Sequence, residues 1–318
     1  MSAEAASARA AELLEAGDFA AAASAFEQAA EAHSAAGETV NESHMWRFAA
    51  TMLRLAGAPE DAVERAEEAL ELAEPGSPPF ISALAELGES ALAAGDPGRA
   101  VNAYEEALEE ETPEPPAGVQ AALLRRLAVA LQQSDREPDA VDALRRAQEL
   151  HREAGDPDEA LAARVEEASL LQGMGDREGA ARVADSAHTA AEAANDQRAL
   201  ANLELLAAAR AVDEKRPEDA MTAARAAREH ALAAEDPVLY TGAAIAESEL
   251  AEGAGDRVAA YGSLAGGFVG AGELLGAQAA RLAFEPRLMA QRERWGAAEF
   301  EEVREAYEAA LDDDGAEE

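Results

Sequence analysis

At 318 residues the chain has room for two average domains or one extended array. Alanine supplies more than a quarter of it, aromatic residues only 4 %, and Ile81 and Ile245 are the sole isoleucines. That composition builds helices and starves sheets. The balance of 26 Lys and Arg against 65 Asp and Glu gives a net charge of −39, which repels phosphate backbones and anionic lipid and excludes nucleic acid and membranes as expected partners.

Several further classes fall away. With no cysteine there is no disulfide framework, thiolate nucleophile or cysteine-based zinc site. The N-terminus, MSAEAASARAAELLEAGD, lacks a basic stretch followed by an apolar core, so no secretory signal is read there. No run of eighteen apolar residues occurs, which argues against a transmembrane helix, and a cytoplasmic protein is expected. Lys215 is the only lysine; arginine and alanine usage suits a GC-rich bacterial genome. Halophilic adaptation is the other explanation for the acidity, and glutamate outnumbering aspartate more than twofold weighs against it.

Taken in chain order, the elements repeat. Each unit reads helix, short turn, helix, with the turns EAGDFAAA, LAGAPEDA, AAGDPGRA, QSDREPDA, GMGDREGA, DEKRPEDA and GAGDRVAA. The alanine after each turn falls at Ala22, Ala62, Ala100, Ala140, Ala180, Ala220 and Ala260, at intervals of 40, 38, 40, 40, 40 and 40 residues, and Ala298 follows 38 later. Glycine ends the first helix of a unit because it takes a left-handed conformation without strain. Aspartate then caps the second, and Pro97 suits its first turn. The longer junctions EPGSPP, ETPEPPAG, AGDPDEA and AEDPVL separate one unit from the next. The spacing predicts sixteen helices in eight antiparallel pairs, with breaks near Gly17, Gly57, Gly95, Asp135, Gly175, Arg216, Gly255 and Trp295. One solenoid is expected over 1–311, with repeats of about 3–38, 40–77, 79–115, 117–156, 158–196, 197–236, 237–272 and 273–311, and an acidic tail over 312–318.

Leu84, Leu87 and Gly88, then Gly95-Asp96, Ala100, Tyr104, Ala107 and Pro113, stand at the spacing of a tetratricopeptide repeat, and the unit resembles that family. Trp46, Ala49, Ala50, Leu53 and Gly57 occupy the matching places one unit earlier. The longer period of about forty is similar to the repeats of bacterial MalT-like and AfsR-like regulators. In the fifth and sixth units Arg164 and Glu204 replace the large residue of the motif. HEAT repeats have a similar length but lack the Gly-Asp turn at this spacing. The resemblance implies an all-α, right-handed superhelical solenoid whose concave surface is lined by first helices.

Chemistry is sparse. His33, His44, His151, His188 and His230 show no metal-ligand spacing, and the abundant carboxylates, Glu105, Glu106, Glu109, Glu110 and Glu111 among them, read as a solvated face. No catalytic residue, cofactor or metal site is expected, and the chain is read as non-enzymatic. Within YGSLAGGFVGAGELLGA, six glycines from Gly262 to Gly276 fall in an expected helix, each costing about 1 kcal/mol relative to alanine. Close helix packing and a hinge are both open readings.

Alignment on the family pattern places His44, Arg47, Thr51 and Arg54, then Arg125, Gln132 and Gln133, then Asn202 on the inner face. Arginine forks pair bidentately with carboxylates, so this set is the expected binding surface for an acidic peptide or helix of a partner protein. Pairing with neighbouring glutamates such as Glu89 is the alternative use of the arginines. The function expected is a scaffold or adaptor that holds a partner segment in its groove. A ligand- or peptide-responsive regulator is the other class.

Overall fold

In the computed structural model, residues 2–109 and 115–314 are described, and among them every regular element is an α-helix. Glu110, Glu111 and Pro113, and the last four residues of the expected acidic tail, lie outside the described residues. The helices are α1 (Ala3–Glu15), α2 (Phe19–Ala36), α3 (Thr39–Leu55), α4 (Pro59–Leu72), α5 (Pro78–Ala93), α6 (Pro97–Glu109), α7 (Ala117–Gln133) and α8 (Glu137–Glu153). They continue as α9 (Pro157–Gly173), α10 (Arg177–Ala194), α11 (Gln197–Asp213), α12 (Pro217–Ala233), α13 (Pro237–Gly253), α14 (Arg257–Leu275), α15 (Ala277–Trp295) and α16 (Ala297–Asp314). They gather into two compact units, residues 1–170 and 171–318, the division falling inside α9.

The turns explain why the helices stop where they do. Gly17, Gly57, Gly95, Gly175 and Gly255 all take a left-handed φ between 73° and 83°. The amide of Gly17 bonds to Leu14 O and that of Asp18 to Leu13 O, both at 3.0 Å, which satisfies two carbonyls that a helix end would otherwise strand. Four turns reach the same geometry without glycine, through Asp135, Asn195, Lys215 and Glu235 at φ 51–58°. Two of the expected breaks sit one residue away from the residue that turns the chain: Lys215 rather than Arg216, and Gly296 rather than Trp295.

Two kinds of turn alternate. Asp18, Asp96, Asp176 and Asp256 each accept a hydrogen bond from the amide three residues on, capping α2, α6, α10 and α14. Second helices α4, α8 and α12 have no side-chain cap and begin instead with Pro59, Pro138 and Pro217 beside two acids of the first turn.

Packing relies on small residues. In the first unit Ala22, Ala29, Ala49, Ala62, Ala66, Ala100, Ala107 and Ala140 are all fully buried, so each helix approaches the next closely. Large side chains are few and central: Tyr104 and Leu84 are fully covered, and the Phe26 and Phe48 rings lie 5.4 Å apart. Within the motif that marks the resemblance, Leu84, Leu87, Ala100, Tyr104 and Ala107 are core residues.

In the second unit α14 is one continuous helix despite its glycines. A Cβ on Gly262 would meet the Tyr307 ring at 2.6 Å, and one on Gly267 would meet Phe284 and Ala244 at 2.8 Å. Gly270 lies as tightly against the hydroxyl of Tyr240. The glycines are therefore contact points for three aromatic rings. Over eighteen residues the mean hydropathy of α14 is 1.2, so by length and composition it could span a bilayer, contrary to the expectation that no helix would. Here it packs against α13, α15 and α16.

Candidate interaction site

First helices of successive pairs lie side by side in the first unit: α3 packs on α5, and α5 on α7. His44, Arg47, Thr51 and Arg54 recur at helical spacing on α3, so they share one face. All four are partly buried rather than splayed into solvent.

A carboxylate that the sequence reading passed over organises this face. Glu86 of α5 is only 8 % exposed. It accepts hydrogen bonds from Thr51 Oγ1 at 2.8 Å, Arg54 Nε at 3.0 Å and Ser90 Oγ at 3.3 Å. A buried carboxylate is tolerated when paired and hydrogen-bonded in this way. Arg54 is thus committed inside the chain. The signal for Glu86 was its place between Leu84 and Leu87, two buried residues of the repeat motif, where a charge needs an internal partner.

Arg47 differs. Its guanidinium carbon stands 4.4 Å from the centroid of the Phe48 ring, a cation–π contact. Its Nε is buried with no hydrogen-bond partner, and it enters no ion pair among the described residues. Burial pulls its pKa down, with the field of Glu86 opposing. Burial, and then the charge of Arg47, also hold His44 below the usual histidine range.

The remaining predicted residues are not brought to this cluster. Arg125 of α7 forks onto Glu166 and also pairs with Glu159, both of α9, and these hydrogen bonds hold its pKa up. Its neighbour Arg126 pairs with Glu89 at 3.0 Å, the intrachain use of a glutamate that the alternative reading named. Gln132 and Gln133 are exposed at the end of α7. Asn202 belongs to the second unit, where its amide donates to Arg198 O one turn earlier. Arginine–carboxylate pairs recur between helices of neighbouring repeats: Arg65 with Glu27, Arg99 with Glu67, Arg257 with Glu299 and Arg294 with Glu252. In a chain this acidic, many arginines serve as ties between repeats.

His33 contacts Glu38, His188 contacts Glu204 and His230 contacts Gln197, while both ring nitrogens of the buried His151 lack a partner. No cluster of three potential metal ligands occurs among the described residues.

No family model matches the sequence, and no curated protein matches it. Solved structures do match in shape. The apo form of RapI superposes at a TM-score of 0.62 with 10 % identity, over 89 % of this chain and 99 % of that one. A signal-transduction ATPase with a tetratricopeptide repeat sensor from Pyrococcus horikoshii gives 0.62 with 14 % identity, over 96 % of this chain and 44 % of that one. Rap protein complexed with competence and sporulation factor gives 0.52 with 12 % identity, over 85 % and 74 %. At these identities the likeness speaks for the fold. Joined to the buried repeat motif and the left-handed turns, it makes this chain an all-α solenoid of tetratricopeptide-like helix pairs.

Proposed function

We propose that the chain is a non-enzymatic protein-interaction module that holds an acidic peptide or helix of a partner across α3. The observation that carries this reading is Arg47. Its half-buried guanidinium enters no ion pair among the described residues and its buried Nε has no partner, and a carboxylate from outside would pair with its terminal nitrogens. Phe48 lies against it in a cation–π contact, while Thr51 and Arg54 are held in place by Glu86. Arg125, tied to Glu159 and Glu166, then acts as a brace between repeats rather than as a second grip. The structural neighbour that is complexed with competence and sporulation factor is in keeping with this class.

Selection of a random peptide library on the whole chain tests the reading. Acidic sequences should be enriched, and Arg47→Glu should weaken their binding about tenfold or more, given that charge-assisted hydrogen bonds contribute about 1.5–3 kcal/mol. Arg125→Glu should lower thermal stability and leave that binding in place. Acidic peptides that bind Arg47→Glu as well as the parent would remove α3 from consideration.

A further inference from the structure

We propose a second, separate site: a pocket between α10 and α11 that takes one bulky apolar side chain and holds an adjacent carboxylate on Arg210. The repeats themselves reveal it. Four residues after the turn alanine, second helices α2, α6, α8 and α14 place Phe26, Tyr104, Leu144 and Leu264, all buried. At the same place α10 has Ala184. Ala66 and Ala224 are equally small, but both are fully covered, whereas Ala184 stays partly accessible. On the facing wall, α11 places Ala207 where α5 and α7 place the buried Leu87 and Leu127. Both walls are short of a side chain at the same spot.

The result is a half-open pocket of about 70 Å³ with an apolar floor of Ala180, Ala184, Leu203, Leu206 and Ala207. Small-molecule sites run to about 300 Å³ or more, so this one suits a single leucine or aromatic side chain. Pockets of that kind seat the anchor residues of peptide interfaces.

The mouth is polar and unevenly committed. Glu204 is engaged by His188, whose Nε2 lies 3.3 Å from its Oε1, and His188 Nδ1 lies 3.7 Å from Glu192. Arg210 enters no ion pair and no side-chain hydrogen bond among the described residues, although it lines the same pocket. An unbonded guanidinium at the rim of an apolar pocket selects a carboxylate, and the nearby Glu214, on which the charge of Arg210 acts, is itself bonded by Arg216. Asp185, also at the rim, is the group that would instead favour an ammonium, and the test separates the two.

Three probes decide it on the isotope-labelled whole chain: N-acetyl-leucine, leucinamide and N-acetyl-leucinamide. N-acetyl-leucine should shift the amide signals of Ala184, His188, Leu206 and Arg210, with an affinity on the order of millimolar for so small a ligand. The two amides should bind about tenfold more weakly, and Arg210→Gln should impose the same loss on N-acetyl-leucine. Ala184→Leu should abolish these shifts while raising the melting temperature, because it fills the void. Should that variant fail to fold, Ala207→Leu fills the same space from the other wall. Absence of shifts with all three probes overturns the site, and so do shifts that survive filling of the pocket. Leucinamide binding as well as N-acetyl-leucine overturns the role given to Arg210. None of these readings involves Arg47, so they stand or fall apart from the site on α3.

Discussion

Gly88 of α5 and Tyr104 of α6 are in direct contact: a Cβ on Gly88 would come within 2.5 Å of Cζ of the tyrosine ring. Tyr104 is fully buried, its hydroxyl has no partner, and burial drives its pKa well above the usual phenol range. The ring stays in this buried site because the helix backbone at Gly88 admits it. Gly88→Ala would gain about 1 kcal/mol of helix propensity, but the added methyl has nowhere to go. A net destabilisation of about 1–3 kcal/mol is expected from overpacking, read as a lower melting temperature by circular dichroism. An unchanged or higher value would mean that the ring can move aside at no cost.

The glycines of α14 make a paired case. Gly267 is packed against Phe284 and Ala244, whereas nothing lies within 4 Å of a Cβ on Gly272. Gly267→Ala should therefore destabilise by about 1–3 kcal/mol, and Gly272→Ala should stabilise by up to about 1 kcal/mol. Amide exchange over Gly262–Gly270 should be as slow as in α6, the equivalent helix of the third pair. Fast exchange there, or two alanine variants with the same effect, would restore the hinge.

The repeat was legible because its punctuation is local. Glycine or aspartate at a left-handed position, a capping aspartate and an alanine after the turn are each readable within a few residues, and all reappear in the structure. What escaped depends on register across repeats. Glu86 reads as one more surface acid until Thr51 and Arg54, 35 and 32 residues earlier, are seen to point at it. Arg125 reads as a groove cation until Glu166, 41 residues later, is found to fork with it. The pocket at Ala184 is a missing side chain, and small residues are unremarkable in an alanine-rich chain. Alternation of aspartate-capped and uncapped second helices was visible in the turns, yet only comparison of every second unit separates the two kinds.

Glu247 of α13 makes stability depend on pH in a direction that can be worked out. The residue is 3 % exposed. Arg228 Nε of α12 stands 3.0 Å from its Oε1 but is not aligned to bond, so that oxygen has no hydrogen bond. Its Oε2 accepts a long one, 3.4 Å, from Ser263 of α14. Burial raises the carboxyl pKa above 4.5; Arg228, Arg225 and the Ser263 bond pull it down, and Glu229 adds to the rise. The balance is upward, so the folded state binds a proton more tightly than the unfolded chain does. The stabilising contribution of the neutral carboxyl is then fully present below the unfolded value of 4.5 and is lost as pH climbs through the raised one. Glu247→Gln removes that titration. Its chemical-denaturation midpoint should fall less than that of the parent between pH 4.5 and neutrality, with the two closest at the acid end. The competing outcome is equally clear. If attraction to Arg228 outweighs burial, the glutamine variant leaves a partly buried guanidinium unpaired and loses stability at neutral pH relative to acid. A midpoint for Glu247→Gln that drops further than the parent's as pH rises would therefore refute the assignment.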